Sequence, residues 1–184
     1  MYEVEVKAHL RDKEAVVKKL TALGCIFSSE LHQVDYVFAP QGTTYPRVAM
    51  GTTVLRVRKQ NDKYFFTLKI PQKSLQDCLE REMEIQDGEK MIEILTLMKW
   101  NALPTVDKKR IKTNYKDMEI VLDQVEVLGE FIEVEKIVEH EDFEDREKVK
   151  EQLFTFLYTL GVSKEDVIID GKYDVMLFEK LKEK

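Results

Sequence analysis

The sequence predicts an α+β fold in which an antiparallel sheet of about eight strands carries helices between and after its strands. Three observations predict it. Short stretches of alternating polar and apolar residues recur along the 184-residue chain, and alternation at period two marks a strand. Consecutive strand candidates are joined by turns too short for a crossover, which makes neighbours antiparallel. Four longer segments instead repeat apolar residues at helical spacing.

Each element can be justified in order. The chain opens MYEVEVKAHL, where Glu3, Glu5 and Lys7 alternate with Val4, Val6 and Ala8. In RDKEAVVKKLTALGC, Asp12 is placed as an N-cap, Ala15, Val16, Leu20 and Leu23 form an apolar stripe, and Gly24 ends the helix. HQVDYVFAP reads as a strand stopped by Pro40, and QGTTYPRVAMGT as a loop. TVLRVRKQNDKYFFTLKIP is two strands around an Asn61-Asp62 turn, and CLEREMEIQD is a further strand. GEKMIEILTLMKW places Met91, Ile92, Ile94, Leu95 and Met98 on a second helix, with the methionines and Trp100 assigned to core packing. PTVDKKRIKTNY, MEIVLDQVE and GEFIEVEKIVE are three more strands. EDFEDREKVKEQLFTFLYTLG is a long helix whose acidic start suits the dipole, and GKYDVMLFEKLKEK is a last helix.

Bulk composition limits the function classes. Residues 1–184 are expected to form one domain, with 43% hydrophobic and 35% charged residues. A formal net charge of −6, from 29 Lys+Arg and 35 Asp+Glu, argues against general nucleic-acid binding, though a local basic cluster suits a small polyanion. Cys25 and Cys78 sit in apolar neighbourhoods and read as two buried free thiols. No apolar run approaches a membrane span, and charges beginning at Glu3 leave no signal-peptide core, so a cytoplasmic protein is expected. Pairing into a homodimer is left open.

The charges follow the strands. Arg56 and Arg58 alternate with Leu55 and Val57; Thr67 and Lys69 oppose Phe66, Leu68 and Ile70; Glu80, Glu82 and Glu84 line one face. Lys108, Arg110 and Lys112 share a face, as do Glu133 and Glu135, and Asp123 follows Leu122 in the strand before. An open sheet with a solvated outer face would accommodate any one of these strands. Carboxylates and cations at matched positions on all of them are better reconciled by a closed barrel, apolar outside beneath the helices and polar around a wet lumen. Crowded carboxylates repel, and a divalent cation held by oxygens relieves this, which points to Mg2+ or Mn2+. The chain has three histidines, His9, His32 and His140, none paired with cysteine at metal spacing, which makes zinc a poor fit. The cations in turn call for an anion, and a phosphate chain serves best.

These residues resemble the CYTH superfamily, the triphosphate tunnel metalloenzymes. The resemblance begins with Glu3-x-Glu5-x-Lys7 and continues through QVDYVF, LRVRK, FTLK and EREMEI. It is most specific in Lys108-x-Arg110 followed by LDQVEVLGEFIEVE, and it covers nearly the whole chain. It implies a closed eight-stranded antiparallel barrel whose tunnel binds a triphosphate with Mg2+ or Mn2+. By position Glu3, Glu5, Asp123, Glu133 and Glu135 resemble the metal-side carboxylates. Arg56, Lys69, Lys108 and Arg110 resemble the phosphate-binding cations, joined by Lys7 and Arg58; Lys69, Lys108 and Arg110 are the catalytic candidates. Glu82 and Glu84 fall among lumen carboxylates of less defined role. Thr113 stands where the family often has tyrosine.

The resemblance implies one of several reactions on ATP or another triphosphate. The overall pattern is most similar to the class IV adenylyl cyclase branch, which converts ATP to cyclic AMP and pyrophosphate. Hydrolysis of inorganic, thiamine or nucleoside triphosphate is the alternative. A non-catalytic nucleotide or polyphosphate binder is a third reading, disfavoured because both carboxylates and cations are retained.

Overall fold

The computed structural model describes residues 2–46, 48–74, 77–138, 143–169 and 171–182, with only the backbone described at residues 2, 3, 72–74, 77, 78, 143 and 144. Among these residues the chain is α+β, with an antiparallel sheet of ten strands and four α-helices. The two strands beyond the eight expected are two-residue pieces, β6 (Asn101–Ala102) and β10 (Val167–Ile168), too short to show as alternation. The chain divides into two compact units, residues 1–30, 109–125 and 129–169 in the first and 31–108, 126–128 and 170–184 in the second.

The first unit contains β1 (Tyr2–His9), α1 (Lys13–Ala22), most of β7 (Val106–Tyr115), β8 (Met118–Val125), β9 (Gly129–Val138), α3 (Phe143–Thr159) and β10. β1 lies between β10 and β9, and β9 pairs on its other edge with β8. One face of this sheet is apolar. Val4, Val6, Ala8, Ile120, Leu122, Ile132 and Val134 form a core with Val16 and Leu20 of α1 and Leu153 and Leu157 of α3. Each fully buried Leu or Ile here contributes about 1.5–3 kcal/mol. The Asp12 side chain accepts a hydrogen bond from the Ala15 amide at 2.9 Å, the cap that starts α1. Gly24 and Gly161, at φ 85° and 91°, take the left-handed turn that ends α1 and α3.

The second unit contains β2 (Leu31–Ala39), β3 (Val54–Gln60), β4 (Lys63–Ser74), β5 (Asp77–Ile85), α2 (Gly88–Leu97), β6 and α4 (Tyr173–Lys182). β2, β3, β4 and β5 pair in sequence order, with β6 beside β2. The two-residue turn Asn61-Asp62 joins β3 to β4, with Asn61 at φ 51°, as a tight hairpin requires. α2 covers the apolar face, packing Leu95, Met91 and Ile92 against Phe38, Leu55, Val57, Tyr64 and Phe66, and Trp100 joins them. Met98, expected in the core, is instead 62% exposed, because the helix has ended at Leu97 and turned that side chain outward. Gly88 opens α2 against a ring: a Cβ there would lie 2.0 Å from Cδ1 of Tyr64.

Cys25 is a buried free thiol. The side chain of Cys78, and His140 with the first residues of the acidic run before α3, lie outside the described residues. Among the described residues no helix is long and apolar enough to cross a membrane.

Candidate functional site: two charged sheet faces

Period two sends Glu5, Lys7, Asp123, Glu133 and Glu135 to the face opposite the apolar core. In the first unit, register aligns Glu5 with Glu135 and Lys7 with Glu133 across β1 and β9, and Glu119 with Glu135 across β8 and β9. The Arg110 guanidinium donates from Nε to Asp123 Oδ1 at 2.7 Å and from Nη2 to Asp123 Oδ2 at 2.5 Å. Its Nη2 also donates to Glu133 Oε2 at 2.7 Å. Glu133 Oε1 lies 3.0 Å from the Lys7 ammonium, which is 3.3 Å from Glu5 Oε1. Signs therefore alternate along Asp123, Arg110, Glu133, Lys7 and Glu5. All but Glu5 are under a tenth exposed. Burial alone would push the Lys7 ammonium pKa down, but Glu133 and Glu5 outweigh it and raise it above the ordinary lysine value.

The row Glu5, Glu135, Glu119 sets three carboxylates side by side across three strands. Like charges directly opposite are destabilising. Lys112 relieves one end, its Nζ 2.5 Å from Glu119 Oε1. Burial would raise the Glu119 carboxyl pKa, and the contacts with Lys112 and Glu135 outweigh it to lower it. The described side chains on this face comprise five carboxylates (Glu5, Glu119, Asp123, Glu133, Glu135) against three cations (Lys7, Arg110, Lys112). That excess of hard oxygen donors fits a divalent cation such as Mg2+ or Mn2+ in its chemistry. As placed, no three such groups among the described residues converge tightly enough to hold one; Asp123 and Glu133 are engaged by Arg110. The Glu3 side chain lies outside the described residues, although its backbone pairs with Ile137.

The second unit carries the opposite balance. Arg58 donates from Nε and Nη2 to the two oxygens of Asp35, at 2.6 and 2.8 Å. Arg56 Nη1 lies 3.9 Å from Asp35 Oδ2. Arg56 also donates to Thr67 Oγ1, at 3.3 Å from Nε and 3.1 Å from Nη2, and to Glu82 Oε2 at 3.0 Å. Thr67, wholly buried, donates its hydroxyl to the same Glu82 oxygen at 2.7 Å. Lys69 is ion-paired with Glu80, and the Lys108 ammonium, 4% exposed, lies 5.1 Å from the Tyr173 ring centroid. Lys63 and Glu84 pair at 3.0 Å at the exposed end of the face.

Apart from that exposed pair, the described strand side chains set four cations (Arg56, Arg58, Lys69, Lys108) against three carboxylates (Asp35, Glu80, Glu82). The electrostatics record the crowding. Burial and the charge of Arg58 hold the Arg56 pKa below its usual value, and burial and Arg56 do the same to Lys69. Burial would raise the Asp35 carboxyl, but Arg58, Arg56 and Lys108 outweigh it and hold it well below the usual carboxylate range. Crowded, partly buried cations whose charged forms are this costly gain from an added polyanion.

The structure thus groups Lys7, Glu5, Arg110, Asp123, Glu133 and Glu135 on one face, and Arg56, Arg58, Lys69, Lys108 and Glu82 on another, with Glu84 at the rim. Thr67 and Glu80, which alternation already puts on charged faces, join the site without having been site candidates. Asp35 and Glu119 join it as well, and parity places both: Asp35 follows Gln33 by two in β2, and Glu119 precedes Asp123 by four in β8.

A family model of the CYTH domain matches residues 1–171. A Methanocaldococcus jannaschii protein named as a candidate adenylate cyclase is 32% identical over 170 residues, covering 91% of this chain and 94% of that protein. The solved PH1819 protein of Pyrococcus horikoshii is 27% identical with a TM-score of 0.79, covering 97% of this chain and 99% of that one. A solved Hippeastrum protein, named a candidate adenylyl cyclase with a dominant triphosphatase activity, is 19% identical with a TM-score of 0.60, covering 98% and 96% of the two chains. The last likeness concerns fold alone.

Proposed function

Because this chain belongs to the CYTH domain family, we propose that it is a divalent-metal-dependent enzyme that converts ATP to cyclic AMP and pyrophosphate. The observation that carries this reading is the charge asymmetry among the described strand side chains: carboxylates exceed cations on the face of the first unit, and cations exceed carboxylates on that of the second. The first balance suits a metal ion and the second a phosphate chain. The relative of M. jannaschii named as a candidate adenylate cyclase supports the choice of reaction.

In this reading Glu3, Glu5, Asp123, Glu133 and Glu135 are the residues that would hold Mg2+ or Mn2+, which would supply positive charge to the phosphate oxygens. Arg56, Arg58, Lys69, Lys108, Lys7 and Arg110 bind phosphate oxygens, and Lys69, Lys108 and Arg110 stabilise the charge that builds at the reacting phosphorus and the leaving group. Glu82 aligns Arg56 together with Thr67. The substrate's own 3′-hydroxyl is the nucleophile, so the remaining task of the protein is orientation.

Triphosphate hydrolysis is the second reading, since a protein of the same fold from Hippeastrum is named for a dominant triphosphatase activity. A panel of ATP, GTP, thiamine triphosphate and inorganic triphosphate, each with Mg2+ and with Mn2+, tests both. Cyclic AMP and pyrophosphate from ATP are expected. No metal-dependent turnover of any of the four would overturn the enzymatic reading and favour a binding protein.

A further inference from the structure

The carboxylates on the charged face of the second unit are of two kinds. Glu80 and Glu82 have side chains 32% and 44% exposed, Glu80 paired with Lys69 and Glu82 with Arg56 and the Thr67 hydroxyl, and neither grips a guanidinium through both of its oxygens. Asp35 is different. Its side chain is 7% exposed, both oxygens are engaged by the Arg58 fork, and Arg56 stands within 3.9 Å. Arg56 and Arg58 lie two positions apart on β3, on the same face, opposite Thr67 and Phe65 of β4. Two half-buried guanidiniums sharing one carboxylate repel each other, and each side chain has many rotamers to choose from. A carboxylate engaged through both oxygens removes that freedom from Arg58 and offsets the repulsion with Arg56.

We propose that Asp35 is a positioning residue for triphosphate binding: it holds Arg58 by the guanidinium fork, with Arg56 beside it, in the orientation that receives phosphate oxygens. This rests on the triphosphate reading above and adds to it a carboxylate whose two oxygens are both engaged by Arg58, so that it acts through that guanidinium. The inference has a sign that simple charge counting does not share. Asp35→Asn removes one negative charge beside the cations, which by electrostatics alone strengthens anion binding. Loss of positioning weakens it.

The test is calorimetric titration of the full chain with inorganic triphosphate in EDTA, so that the cations are read without metal. Asp35→Asn is expected to weaken binding by about tenfold or more, the scale of a misplaced binding group, while Glu80→Gln, which removes the same charge, binds as tightly as wild type or tighter. Wild-type affinity in Asp35→Asn, or equal weakening in Glu80→Gln, would overturn the proposal. If Asp35→Asn does not fold, Arg58→Lys tests the same contact, since it keeps the charge and loses the fork. A loss of about tenfold is again expected, and wild-type affinity overturns the proposal. Failure of the wild-type chain to bind triphosphate both in EDTA and with Mg2+ removes the functional reading as well, whereas tight wild-type binding matched by Asp35→Asn removes this inference alone.

Discussion

Arg110 and Asp123 meet through two parallel hydrogen bonds, at 2.7 and 2.5 Å, with the carboxylate 1% exposed. The pair links neighbouring strand faces, and Glu133 on the same guanidinium extends it to Lys7. A buried pair of this kind adds little net stability over apolar packing, yet removing one partner strands the other's charge. It fixes where the charges stand.

Asp123→Asn should therefore destabilise the chain by about 3 kcal/mol, since Glu133 remains to Arg110 as a partial partner. Urea unfolding at neutral pH measures it. A loss below about 1 kcal/mol, the scale of a surface pair, would contradict the buried network.

The acid limb of stability should carry the mark of Asp35. Its folded pKa lies below the unfolded value of about 3.9, held there by Arg58, Arg56 and Lys108 against the effect of burial. The stabilisation is therefore present above about pH 4 and lost as pH falls through the lower folded value. Asp35→Asn should differ from wild type by a constant amount near neutrality, with the difference shrinking below about pH 4. A difference that stays constant down to acid unfolding would contradict the assignment.

Gly88→Ala tests how α2 seats on the sheet. The added Cβ would lie 2.0 Å from the Tyr64 ring, so either the ring or the start of the helix must move. Overpacking of this kind costs about 1–3 kcal/mol, read as a lower midpoint in thermal unfolding. An unchanged midpoint would contradict the close approach.

Metal dependence is tested at the opening strand. Glu3→Gln with Glu5→Gln keeps size and removes two charges from the proposed metal side, and turnover should fall by about 100-fold or more with the fold retained. Activity that survives in EDTA, or in the double variant, would contradict the role of these carboxylates.

Much of this was legible in the sequence, for a physical reason. β1, β3, β8 and β9 present one face to an apolar core and one to charge, and the same alternation runs through β4 and β7, so parity alone sorted Glu5, Lys7, Arg56, Lys69, Arg110 and Glu133 onto charged faces. What parity cannot tell is which charge meets which. The pairing of Arg58 with Asp35 joins residues 23 apart, and depends on the β2–β3 register, which no tight turn between the two strands reveals. Glu119 escaped notice because β8 otherwise reads as an apolar run, buried from Ile120 to Asp123. β6 and β10, at two residues each, carry no period to read. Met98 shows the converse error, in which an apolar residue at helical spacing falls just past the helix end and faces solvent.

The most direct test of the proposed reaction compares ATP with 3′-deoxy-ATP in the presence of Mg2+ or Mn2+, with products separated by chromatography. Cyclisation requires the 3′-hydroxyl, whereas hydrolysis at the terminal phosphorus does not. The account predicts cyclic AMP and pyrophosphate from ATP, and binding without reaction for the deoxy compound. Orthophosphate released from 3′-deoxy-ATP at the rate seen with ATP would contradict it and assign the chain to the triphosphatases.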